Sequence, residues 1–119
     1  MSIKKNLISS IEKKETRVGV VGLGYVGLPL LLRFHEKNFP VTGFDNNLSC
    51  ISELNSGISP IKHITDSKIQ SLVNDSLSLI SNDVSQSHDC DILIICLPTP
   101  LDDKDVPDLS YIETFLDSV

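Results

Sequence analysis

The chain has 119 residues, 40% hydrophobic and 22% charged, the balance of one soluble globular domain with a single core. Ten basic residues against sixteen acidic ones give a net charge of −6, and no basic cluster exceeds the pairs Lys4-Lys5 and Lys13-Lys14. That balance excludes nucleic acid and an acidic membrane surface as expected partners.

Residues 1–16 read as an N-terminal extension, with charges throughout and no apolar core of a signal peptide. Arg17–Val21 predicts a short strand, apolar in the continuous way of a strand buried on both faces of a parallel sheet. Gly22, Gly24 and Gly27 follow at the spacing G-x-G-x-x-G. Leu28, Leu31, Leu32 and His35 then fall at helical spacing, predicting a helix over Tyr25–Asn38. Pro29 sits early in it, where a missing N–H costs little. Asn38-Phe39-Pro40 ends this helix, and Val41–Asp45 is the second strand.

Leu48, Ile51 and Leu54 mark a second helix that stops near Asn55-Ser56-Gly57. Asp66 is the expected cap of a third, whose apolar side is Ile69, Leu72 and Val73. Leu77–Ile80 and Asp91–Leu97 read as the third and fourth strands, the latter buried on both faces. Its apolar run Ile92–Leu97 is far too short to span a bilayer. Pro98, Pro100 and Pro107 punctuate a polar loop. Asp108 then caps a last helix with Leu109, Ile112, Leu116 and Val119 on one face.

Strands alternating with helices predict an α/β fold over residues 17–119: a doubly wound parallel sheet in three α/β/α layers. The expected strand order is 3-2-1-4, the first half of a dinucleotide fold plus its crossover strand. Strand four is then an edge, and self-association through it or the apolar surface beside it is expected.

The glycine pattern by itself fits either a bare strand-to-helix turn or a pyrophosphate cradle. A cradle needs a sharp turn (Gly22), close backbone approach (Gly24), tight helix–strand packing (Gly27) and free helix N–H groups facing the anion. The context suits it, since the motif follows a strand and opens a helix. Asp45 lies eighteen residues past Gly27 at the end of the second strand, near the roughly 20-residue spacing of a ribose-binding acid. An acid there accepts from ribose hydroxyls and repels a 2′-phosphate, and Asn46 and Asn47 bring no cation to offset it. NAD is therefore expected over NADP. Across the crevice, Pro98 and Thr99 sit where strand four reaches its carboxyl end, either a plain rigid loop or a wall of the site.

"VGVVGLGYVGLPL", "VTGFD", "LNSGISPI" and "ICLPTPL", in this order, resemble the N-terminal domain of the UDP-glucose/GDP-mannose dehydrogenase family, from about Arg17 to Tyr111. Ile61-Lys62-His63-Ile64, "CLPTPL" and "PDLSYI" are most similar to the branch acting on UDP-N-acetylhexosamines, the UDP-N-acetylglucosamine 6-dehydrogenases. The resemblance implies a cytoplasmic Rossmann-type NAD-binding domain, with backbone contacts to the pyrophosphate from Gly22, Leu23, Gly24, Tyr25, Val26 and Gly27. It implies Asp45 with Asn46 at the adenosine ribose, and Pro98-Thr99 beside the cofactor. The family usually has Lys or Arg five residues after the ribose acid; this chain has Cys50.

Such enzymes oxidise a sugar C6 alcohol to a carboxylate with two NAD+ and a cysteine nucleophile, which needs a thiolate, a lysine and a water-positioning acid. No catalytic residue is assigned in this chain. Cys90 and Cys96 flank or lie in an apolar strand and read as small hydrophobes, and Cys50 has no base near it in sequence. The three cysteines are widely spaced without C-x-x-C, which fits neither a disulfide framework nor zinc and points to a reducing cytoplasm. His35 reads as a packed surface residue, His63 as a loop residue orienting the following helix, and His88 as solvated. Asp102-Asp103-Lys104-Asp105 reads as a solvated loop, so no metal is expected. The chain is thus expected to be the cofactor half of a larger, homo-oligomeric UDP-sugar dehydrogenase. A stand-alone, non-catalytic nucleotide-binding regulatory module is the second reading.

Overall fold

A computed structural model describes residues 3–98 and 100–118. Four parallel strands, β1 (Val18–Val21), β2 (Val41–Phe44), β3 (Ser78–Ser81) and β4 (Ile92–Ile95), form one sheet in the order β3-β2-β1-β4. Val21 pairs with Phe44 on one side and Ile95 on the other, so the carboxyl ends of the central strands finish level. The order is the one expected from the sequence.

β1 and β2 are buried throughout, and the one polar side chain in them, Thr42, accepts from Arg17 Nη1 at 3.1 Å. β4 is only half-buried along its length, because it lies at the sheet edge with one strand neighbour among the described residues. One face packs Val20, Val41 and Ile80 against α2 (Gly27–Glu36), α3 (Leu48–Asn55) and α4 (Asp66–Val73). Leu28, Leu31 and Leu32, at i, i+3 and i+4, are the buried stripe of α2, each worth about 1.5–3 kcal/mol of burial. Gly43 lets α2 approach, since a Cβ there would stand 2.8 Å from Leu31 Cδ2. The other face packs Val21 and Phe44 under Phe115 of α5 (Ser110–Asp117) and beside Val84, which opens a 3₁₀ turn over Val84–Asp89.

Three helix ends share one hydrogen-bond pattern. Residues Asn38 (φ 70°) and Gly57 (φ 77°) take left-handed backbone after α2 and α3. Phe39 N–H donates to Phe34 O and Ile58 N–H to Glu53 O, closing Schellman motifs. The third ends α1 (Ile3–Glu12), a helix within what reads as a plain extension. There Lys14 adopts φ 57°, and Glu15 N–H donates to Ser10 O at 2.9 Å. No residue of α1 is buried, and the buried Thr16 ties it to the body by donating to Ser10 Oγ at 2.8 Å.

Two caps differ from expectation. Thr65, not Asp66, caps α4 by accepting from Lys68 N–H, while Asp66 Oδ1 accepts from Ser59 N–H at 2.8 Å. Asp108 accepts from Ser110 N–H at 2.9 Å, one residue ahead of the geometric cap Leu109. On α5 the inward residue is Phe115, with Ile112 half-buried, whereas Leu109 and Leu116 are about half exposed. Val119, the last residue of the expected face, lies outside the described residues.

Candidate cofactor site

A cleft of about 510 Å³ opens at the carboxyl ends of the strands. Val21, Asp45, Asn82 and Leu97 bring to it the ends of β1, β2, β3 and β4, and Tyr111 and Phe115 of α5 close one side. Asn46 lies on the same wall.

The glycine turn is built by close backbone contacts. Gly22 N–H donates to Phe44 O at 2.8 Å, and Cys96 N–H donates to Val21 O at 2.7 Å. Gly22 has φ +96°, and a Cβ on it would stand 2.6 Å from Cys96 O. A Cβ on Gly27 would overlap Gly22 O, so that position is closed to every other residue. Gly24 is the opposite case: it is exposed, and a Cβ on it would meet nothing within 4 Å. Turn and helix packing thus consume the outer two glycines and leave the middle one facing open space.

Helix α2 begins without a side-chain cap. Leu28 N–H donates to Gly24 O and Leu30 N–H to Val26 O, while the amides of Gly24, Tyr25, Val26 and Gly27 find no acceptor among the described residues. Unpaired first-turn amides carry the positive end of the helix dipole, which suits an anion. Asp45 borders this turn. Its Oδ2 accepts from Leu23 N–H at 2.9 Å and its Oδ1 from Asn47 N–H at 2.9 Å. A carboxylate has about four acceptor sites, so each oxygen keeps capacity for a ribose hydroxyl. These residues fit a dinucleotide.

The structure brings Leu23, Asp45 and Asn46 together, with Gly24, Tyr25 and Val26 exposed on the turn beside them. Pro98 is exposed, and Leu97 lines the cleft in its place; Thr99 lies outside the described residues. Asn82 and the α5 residues were not read from the sequence. Asn82 was open to prediction, since it follows a strand's carboxyl end as Asp45 does; α5 reaches the cleft only through tertiary packing. Asp102 Oδ1 accepts from the amides of Lys104 and Val106, which makes its acidic loop a self-bonded turn.

Burial pushes the Cys50 thiol up, with Asp45 and Glu53 adding to it; burial also pushes up Cys90. His35, on α2, faces away from this chemistry and pairs through Nε2 with Asp75 Oδ2 at 3.0 Å.

Residues 16–119 match the UDP-glucose/GDP-mannose dehydrogenase family, NAD binding domain. The chain is 36% identical over 107 residues to a UDP-N-acetyl-D-mannosamine dehydrogenase from Pyrococcus horikoshii, covering 87% of this chain and 25% of that protein. It is 37% identical over 97 residues to a UDP-N-acetyl-D-glucosamine 6-dehydrogenase from Pseudomonas aeruginosa, covering 82% and 22%. Among solved structures, a GDP-mannose dehydrogenase ternary complex from Pseudomonas aeruginosa superposes with a TM-score of 0.78 at 30% identity, over 83% of this chain and 23% of that one. The chain spans about a quarter of the length of these relatives. No helix among the described residues is long and apolar enough to cross a membrane. The chain belongs to the UDP-glucose/GDP-mannose dehydrogenase family, as its NAD-binding Rossmann-type domain, with NAD as the cofactor.

Proposed function

We propose that this domain serves a cytoplasmic, homo-oligomeric nucleotide-sugar 6-dehydrogenase that oxidises the C6 alcohol of a UDP-N-acetylhexosamine to the uronic acid. The observation that carries the cofactor part is the uncapped start of α2 lying beside Asp45, which holds the Leu23 amide of the same turn. Relatives named as dehydrogenases of UDP-N-acetyl-D-mannosamine and UDP-N-acetyl-D-glucosamine support the sugar class.

When bound, NAD supplies the hydride acceptor for the sugar carbon. Gly22 and Gly27 shape the turn, Gly24 admits the pyrophosphate, and of the five amides from Leu23 to Gly27 four are free to meet it. The Leu23 amide is held by Asp45, so the remaining four face the phosphates. Asp45, with Asn46, takes the adenosine ribose and sets its charge against a 2′-phosphate. Leu97, which lines the cleft at the end of β4, walls the cofactor from that side. With the Cys50 and Cys90 thiols held away from thiolate, the nucleophile in this reading belongs to a further domain beyond residues 17–119, and these residues alone bind without turnover.

Calorimetric titration of NAD and NADP tests the cofactor part. NAD is expected to bind at least about tenfold more tightly, the discrimination of roughly 1.4 kcal/mol that one added charge clash supplies. Equal affinity for the two overturns it.

A further inference from the structure

The ring of Tyr25, in the glycine turn, stacks on the imidazole of His63, with centroids 6.3 Å apart and planes 19° from parallel. Tyr25 is 79% exposed and His63 is exposed too, so burial does not hold the pair together. The His63 side of it is rigid. Ile61 and Ile64, on either side, are buried in the main core under α2 and α4. Ser59 Oγ donates to Ile61 O at 2.7 Å, Ile64 N–H donates to Ile61 O at 3.1 Å, and Ser59 N–H is held by Asp66. The loop between α3 and α4 is therefore a fixed mount that carries an imidazole to the start of α2.

The Tyr25 side has no such mount. Gly24 before it has no side chain to pack, Val26 after it is 71% exposed, and the helix start has no side-chain cap. The stacked ring is a lateral contact between the turn and the loop that follows α3. We propose that His63 is a positioning residue of the cofactor site: its ring, anchored by Ile61 and Ile64, holds Tyr25 and so fixes the direction of the Tyr25 and Val26 amides toward a diphosphate. This rests on the reading that the turn holds the NAD pyrophosphate.

The test is calorimetric titration of NAD into the full chain and into His63→Ala, His63→Phe, Tyr25→Ala and the His63→Ala/Tyr25→Ala double variant, with thermal melts of each. His63→Ala is expected to weaken NAD about three- to tenfold, the range of one aromatic pair, with a melt close to that of the unchanged chain. His63→Phe keeps a stacking ring and restores affinity. In the Tyr25→Ala background, His63→Ala has no further effect, as coupling through that ring requires. The proposal is overturned if His63→Ala binds NAD like the unchanged chain, or if its effect persists in the absence of the Tyr25 ring. It is overturned equally if His63→Phe binds NAD no better than His63→Ala. If the unchanged chain binds no NAD, the functional reading fails and takes this proposal with it.

Discussion

The backbone N–H of Leu23 donates to Asp45 Oδ2 at 2.9 Å, joining the glycine turn to the end of β2 across 22 residues of sequence. Leu23 is 2% exposed, so its amide has no ready access to water and the carboxylate is its partner. One side chain thus fastens the turn and, in the proposed function, offers its remaining lone pairs to a ribose. Asp45→Ala removes both. It is expected to destabilise the fold by about 1–2 kcal/mol, the cost of a lost charged acceptor at a partly exposed site, and to weaken NAD about tenfold or more. Asp45→Asn keeps one oxygen for the turn but no negative charge. It should therefore melt nearer to the parent while NADP gains on NAD. Melting curves with titrations of both nucleotides separate the two jobs.

The glycines divide the same way. Gly27→Ala places a Cβ onto Gly22 O, backbone that cannot rotate aside. It should cost about 3 kcal/mol or more, or prevent folding. Gly24→Ala meets nothing within 4 Å and should change stability by no more than about 0.5 kcal/mol, yet in the proposed function it fills space the pyrophosphate takes and should weaken NAD. Denaturant titrations beside NAD titrations read the contrast. A Gly24→Ala variant that binds NAD normally would show that the ligand does not approach this glycine.

The strands and their order were legible because continuous apolar runs and glycine spacing report a parallel sheet directly. The ends of α2 and α3 were legible because Asn38 and Gly57 tolerate left-handed backbone. The end of α1 was not: Lys14 takes the same conformation without the chemistry that advertises it. The helix itself was missed although Ile3, Leu7 and Ile11 lie one turn apart, because that stripe stays at least 37% exposed and builds no core. Phe115 could not be singled out from Leu116 by period alone, since only the sheet's position decides which faces inward. Asp45 was found by spacing, but its bond to Leu23 and the stack of Tyr25 on His63 join distant segments that no local pattern connects.

Cys50 sits five residues past Asp45, where the family resemblance implies a cation. Burial first, then the charges of Asp45 and Glu53, push its thiol up. A thiol raised in the folded state contributes stability below the unfolded value, about 8.5, and loses it as pH rises through the folded value. Alkylation of Cys50 by iodoacetamide at pH 7 should accordingly be slower than that of an unfolded control, and should accelerate above the usual thiol range. Asp45, which raises the thiol, would favour a cation in its place. Cys50→Arg is expected to tighten NAD about three- to tenfold at low salt, with the gain shrinking as salt screens it.

The last relationship lies away from the cleft. Asp75 accepts from Leu77 N–H at 2.9 Å and pairs with His35 Nε2 at 3.0 Å, tying α2 to the turn before β3. The Leu77 amide first, and His35 after it, hold the Asp75 carboxyl below the usual carboxylate range. A depressed carboxyl contributes stability above its unfolded value, about 3.9, and that contribution is lost as pH falls through the folded value. Melts recorded from pH 6 to pH 3 should show the unchanged chain losing more stability below about pH 4 than Asp75→Asn, which has no carboxylate to protonate. At pH 6 Asp75→Asn is the less stable of the two, because the amide meets the same partners without charge. Parallel acid limbs for the two proteins would mean that the pair contributes no pH-dependent stability.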